Sequence, residues 1–239
     1  MNLKSLSALA ALVALAGSAQ AAVYAGNSAS GFGGVIGGSS LTITDNGTNV
    51  DFSLTTSGAF SNDALILYIN SVAGGANNTS TYTDTADGGR TAISGLSGSG
   101  RTLVNFAAGF GADFAITLQP GIFSGTFDLS TPASFGFVQG NGLSGSGSGP
   151  FIFSILKTNL SLPGAGAYSF DFVGTLISTT AFRSNETIGT SVTANVDGNG
   201  NAGFTGTQTF SSSNTFAVPE PSGLSLLALT GLAFARRRR

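Results

Sequence analysis

Residues 41–54 read LTITDNGTNVDFSL, and their spacing decides the fold class. Leu41 and Ile43 alternate with Thr42 and Thr44, and Val50, Phe52 and Leu54 alternate with Asp51 and Ser53. Successive side chains of a strand point to opposite faces, so each run lays one apolar row on one side of a sheet. Between them Asp45, Asn46 and Gly47 tolerate positive φ, which predicts a β-hairpin with a short loop. The period of two recurs outward along the chain, in Phe114, Ile116 and Leu118, then Phe123, Phe127 and Leu129. It returns in Tyr168, Phe170, Phe172 and Leu176, and in Val192, Ala194 and Val196.

Two runs break the alternation: ALILYI at 64–69 and FIFSIL at 151–156. Such runs fit strands covered on both faces or at the centre of one sheet with long neighbours, and their aromatic and β-branched content favours strands over a buried helical turn. The clear cases amount to roughly nine to eleven short strands separated by glycine-rich turns, with no convincing amphipathic helix. The expected fold is all-β, a jelly-roll-like β-sandwich, with a β-solenoid as the alternative. No repeat of fixed period supports the solenoid.

Composition removes several classes of chemistry. The 239 residues contain no cysteine and no histidine. That excludes disulfide staples, Ser-His-Asp triads, Cys-His dyads and thiolate or imidazole metal sites. Between residues 22 and 218 the bases are Arg90, Arg101, Lys157 and Arg183 against ten acids, a net charge of −6. A nucleic-acid binder needs a basic stripe, so none is expected here. Nineteen phenylalanines supply the material for a core and argue against disorder. The stretch NGLSGSGSGP at 141–150 reads as a long surface loop of one domain, and SGFGGVIGGSS at 30–40 as a loop or weakly ordered first strand.

Both ends differ from the body. The chain begins MNLKSLSALAALVALAGSAQAA, with Lys4, an apolar run over 6–16, and small residues at Ala19 and Ala21. This is the pattern of a secretory signal peptide, cleaved by signal peptidase after Ala21. It divides the chain into a signal peptide (1–21), an exported β-rich domain (22–217) and a C-terminal segment (218–239).

That last segment carries Pro219, Glu220 and Pro221, an uncharged apolar stretch over 222–235, and then Arg236, Arg237, Arg238 and Arg239. Prolines end the β-ladder. The apolar stretch predicts a short transmembrane helix, whose arginines stay on the cytoplasmic side and stop translocation. The order of the three parts, at the very C-terminus and paired with a signal peptide, resembles the PEP-CTERM sorting signal of bacterial exported proteins. The resemblance covers about 22 of 239 residues. It implies recognition at Pro219, Glu220 and Pro221 by an exosortase-like membrane transpeptidase and transfer of the body to a surface acceptor. It further implies a transiently membrane-anchored protein of the cell surface or extracellular matrix, in an exopolysaccharide or biofilm setting.

Sites in the body are sparse. Asp197, Asn199 and Asn201 match the opening spacing of a calcium loop, but Ala202 replaces the glycine and Gln208 the closing glutamate. Asp84 with Asp87, and Asp45 with Asp51, are loop acids that could gather a cation. Nine aspartates and Glu186 are the body's carboxylates, none in a recognisable catalytic motif. No catalytic residue, metal or cofactor is assigned. The expected role is structural or adhesive, with polysaccharide as the partner. The alternative is a carbohydrate-binding or carbohydrate-active sandwich, calcium-dependent in one version.

Overall fold

The computed structural model describes residues 20–60, 63–98, 100–119, 123–143, 149–190, 192–195 and 199–220. The segment that decided the fold class forms the expected hairpin, β2 (Ser40–Asp45) and β3 (Asn49–Thr55), closed by the pair Asp45 and Val50. β1 (Ala21–Ala25) joins β2, and β11 (Phe151–Leu156) joins β3, giving a four-stranded antiparallel sheet in the order β1-β2-β3-β11.

A larger sheet faces it. Its strands are β4 (Asp63–Asn70), β8 (Phe114–Gln119), β9 (Phe123–Asp128), β10 (Gly136–Gly140), β12 (Tyr168–Ser178) and β13 (Arg183–Ile188), in the order β10-β9-β8-β4-β12-β13. β16 (Asn214–Val218) pairs with the first half of β12. The inward rows of the small sheet, among them Leu41, Ile43, Phe52 and Phe153, pack against Leu67, Ile116, Phe172 and Phe216 of the large one. This is a sandwich whose core comes from the alternating rows read in the sequence. Strands from either side of residues 141–150 pair with one another, in β3–β11 and β4–β12.

The large sheet is buried on its other face as well. Ile66, Tyr68, Ala115, Phe127 and Val173 form a second core there. It is covered by a helix, α1 (Gly88–Ser94), and by a small sheet of β7 (Leu103–Asn105), β14 (Val192–Asn195) and β15 (Thr207–Phe210). A two-stranded ribbon, β5 (Leu96–Ser97) with β6 (Gly100–Arg101), lies between α1 and β7 in the chain. The continuous run at 64–69 is therefore β4, covered on both faces as expected. The solenoid finds no support: among the described ladders only β7–β15 is parallel.

Three expectations need correction or a boundary. The run at 151–156 is a strand but an edge one with a free outer face, where Ile152 is 63% exposed and Leu156 46%. Its alternation was hidden because two of the three outward positions, Ile152 and Leu156, carry aliphatic side chains. α1 was missed because two glycines open it, although Asp87 caps its first turn through the Arg90 amide and Gly95 ends it at φ 63°. The helix expected over 222–235 lies outside the described residues, and no helix among those described is long and apolar enough to cross a membrane.

The second core holds an unbalanced charge. Arg183 is fully buried, donating to the hydroxyls of Thr102 and Thr175 at 3.4 Å each, with Nη2 unpartnered among the described residues. Burial pulls its pKa down, and Tyr68 beside it partly opposes that. A buried cation without a carboxylate costs more than its long hydrogen bonds return. Arg183→Met is expected to raise stability in a urea melt by about 1 kcal/mol. A loss of that size would show that its hydrogen bonds outweigh its desolvation.

Candidate functional site

The residues singled out in the sequence are placed as follows. Asp84 and Asp87 both pair with Arg90: Nε lies 3.1 Å from Asp84, and Nη1 pairs with Asp87. Asp84 also accepts the Phe135 amide at 2.7 Å. Asp45 holds the Lys157 ammonium at 2.8 Å, and Asp51 accepts from the Asn46 side chain. Of the calcium-like stretch, Asp197 lies outside the described residues. Asn201 accepts the Asn185 amide at 3.0 Å, and Gln208 is buried between Ser184 and Thr175. Among the described residues no group of three or more acids, histidines or cysteines is assembled to hold a metal.

At the termini, Ala21 is the first residue of β1, opposite Thr44, and Ala19 lies outside the described residues. Pro219 and Glu220 are exposed and directly follow β16, whose last residue Val218 pairs with Tyr168. Pro221, Arg236, Arg237, Arg238 and Arg239 lie outside the described residues.

A cleft of about 530 Å³, which no motif in the sequence marks, opens at one end of the sandwich. The loop after β4, the start of β8, the end of β9 and Ser161 form its walls. β8 and β9 form a hairpin in which Phe114 faces Asp128, so Asp113 and Asp128 come to the same end of the sheet. β4 and β12 run so that Asn70 faces Asp171, and β16 delivers Val218 to Tyr168. The cleft and the exit of the chain toward Pro219 therefore lie at the same end of the large sheet.

Asp113 is fixed by its backbone. Its Oδ2 accepts the amides of Ser71 and Val72 at 3.0 Å each, and its carbonyl accepts the Leu129 amide at 2.8 Å. Glycines allow this approach: a Cβ on Gly75 would sit 2.7 Å from Asp113 Oδ1, and one on Gly111 would sit 1.7 Å from the Gly74 carbonyl oxygen. Asp128 Oδ1 accepts the Ser130 amide at 2.7 Å. Asp113 Oδ1 and Asp128 Oδ2 receive no hydrogen bond and meet no base among the described residues. Partial burial raises the Asp113 pKa; the Val72 and Ser71 amides lower it, and the charge of Asp128 raises it again. Phe114, Leu129, Val72 and Pro132 give the cleft apolar walls, and no basic residue lines it. Such a surface takes a ligand with hydrogen-bond donors and an apolar face, and repels anions.

The two aspartates carry no recognisable motif. Their signal was positional, at the start of one strand and the end of the next in a hairpin. Comparison with protein-family models, with curated proteins and with solved structures finds no match for this chain.

Proposed function

We propose that the chain is an exported bacterial surface protein, sorted through its C-terminal PEP-CTERM-like segment, whose jelly-roll-like sandwich acts structurally or adhesively without catalysis. One observation carries this reading. The last described strand, β16, ends at Val218, and the exposed Pro219 and Glu220 follow it directly. A cut at this motif would release the body without removing any of the described strands. Cleavage after Ala21 at the other end would remove Gln20 and Ala21, which contribute the carbonyl for the Asp45 amide and one β1 pairing. The register from Ala22 to Ala25 would stay. The signal peptidase, an exosortase-like enzyme and the membrane are the partners in this reading, and the cell surface or extracellular matrix is the destination.

The test is the intact mass of protein recovered from its native cells, beside a triple variant Pro219→Ala, Glu220→Ala, Pro221→Ala. The expected native mass runs from about residue 22 to 218–221, and the variant keeps its tail. Arginines 236–239 retained on the native protein would make the tail a permanent anchor and overturn the sorting assignment. The cleft supports a second element of the reading, contact with polysaccharide, because it joins hydrogen-bonding carboxylates to apolar walls.

A further inference from the structure

We infer that the cleft between the β8–β9 hairpin and the loop after β4 binds a sugar unit bearing a free amine, through Asp113 and Asp128. The inference rests on the polysaccharide-contacting reading above and names the ligand class for it. A volume of about 530 Å³ suits a segment of one or two sugar rings. Val72, 40% exposed, and the half-buried Pro132 offer the apolar surface for the C–H face of a ring.

The charge of the walls selects among sugars. Two carboxylates line the cleft, Asp113 with one oxygen held by two backbone amides and Asp128 with one held by a single amide, and the second oxygen of each has no hydrogen bond among the described residues. None of the four bases of the body pairs with either, since Arg90 and Lys157 are engaged elsewhere and no basic residue lines the cleft. Among the described residues only backbone amides, and no base, face Asp113 and Asp128. Uronic acids, sulfated sugars and phosphorylated sugars would add to it. A neutral sugar could donate hydroxyls but leaves both charges uncompensated. An ammonium donates in three directions and offsets one of the two charges, forming charge-assisted hydrogen bonds that are shorter and stronger than neutral ones. Asp113 is also pre-positioned, because the Ser71 and Val72 amides hold its carboxylate before any ligand arrives.

The test is calorimetric titration of the purified full chain with a β-1,4-linked glucosamine tetramer, its fully N-acetylated counterpart and a glucose tetramer. The amine tetramer is expected to bind at least about tenfold more tightly than either of the others. Asp113→Asn and Asp128→Asn should each weaken it by about tenfold. Asn at 113 can still accept the two loop amides, and an unchanged melting temperature confirms that each variant is folded. Asp171→Asn serves as the charge control: Asp171 sits on β12 and bonds Thr215 outside the cleft. It should change affinity less than twofold. Equal binding of the acetylated or neutral tetramer overturns the amine assignment. An equal loss in Asp171→Asn shows that the body's overall charge, not the cleft, attracts the ligand. Absence of binding by the amine tetramer overturns the site itself. Each outcome is independent of whether the tail is processed, so this inference and the sorting assignment fail separately.

Discussion

Glu186→Ala is expected to cost about 4 kcal/mol of folding stability, seen as a drop of roughly 10 °C in melting temperature for a domain of this size. Glu186 is the only glutamate of the body and is fully buried. Its Oε1 accepts the amides of Phe32 and Gly34 at 2.5 and 3.1 Å, and its Oε2 accepts those of Ile36 and Gly37 at 2.7 and 3.0 Å. The carboxylate is thus the centre around which residues 32–37 are wound. Gly33 and Gly34 have φ of 87° and 80°, and a Cβ on Gly37 would sit 1.8 Å from the Ala29 carbonyl oxygen. Charged hydrogen bonds contribute about 1.5 to 3 kcal/mol each, and a buried amide left without an acceptor costs about 1 to 3. Four at once exceed the total because the loop relaxes toward water once its centre is gone. Glu186→Gln keeps the shape but turns one acceptor into a donor facing amides, so about half of the loss should appear. A melting temperature within 2 °C of wild type for Glu186→Ala would mean that the loop holds its own form, and that the carboxylate only fills it.

This loop shows where reading by sequence stops. The hairpin at 41–54 was legible because its information is local: period two, a turn of permissive residues, and partners a few positions apart. The same holds for β4, β8, β9 and β12, whose apolar rows enter the two cores on the expected faces. The glycine-rich stretch at 30–40 announced unusual backbone but not its purpose, since Glu186 lies about 150 residues away. Burial of a lone glutamate is a tertiary event with no sequence period. Asp84 and Asp87 read as loop acids for the same reason. Arg90, which pairs with both, is only three positions beyond Asp87, but the helical turn that brings it back was hidden by Gly88 and Gly89. FIFSIL misled in the opposite sense, because periodicity reports polarity and Ile152 is apolar yet exposed.

The cleft was half legible. Once the rows at 114–118 and 123–129 are paired as a hairpin, register alone puts Asp128 opposite Phe114 and beside Asp113. The third and fourth walls were not legible, since the loop after β4 and Ser161 arrive from strands placed by long-range pairing. The tail motif, by contrast, was read from one-dimensional order. The fold adds that the end of the sheet from which the tail departs is also the end bearing the cleft.

The same end is fastened by a buried ion pair, and breaking it is the second large effect expected. Lys157, 3% exposed, lies 2.8 Å from Asp45 Oδ1 and 2.9 Å from Oδ2, with its ammonium 4.8 Å from the centre of the Tyr168 ring. Three elements meet there: the end of β2, the 3₁₀ turn after β11 and the start of β12. Asp45→Asn keeps the acceptor for the Gly47 amide in the hairpin loop but leaves an ammonium buried without its counter-charge. The expected cost is about 3 kcal/mol. Lys157→Met alone should cost about 2, because Asp45 retains the Gly47 amide and some access to water. The double variant removes both charges and keeps most of the packing volume, so it should lie within about 1 kcal/mol of wild type. Urea melts of the four proteins give a coupling of about 5 kcal/mol if the pair acts as a unit. Strictly additive losses would show that Asp45 serves the hairpin loop and Lys157 the Tyr168 ring independently, and that the turn carrying Ser161 into the cleft is positioned by backbone contacts alone.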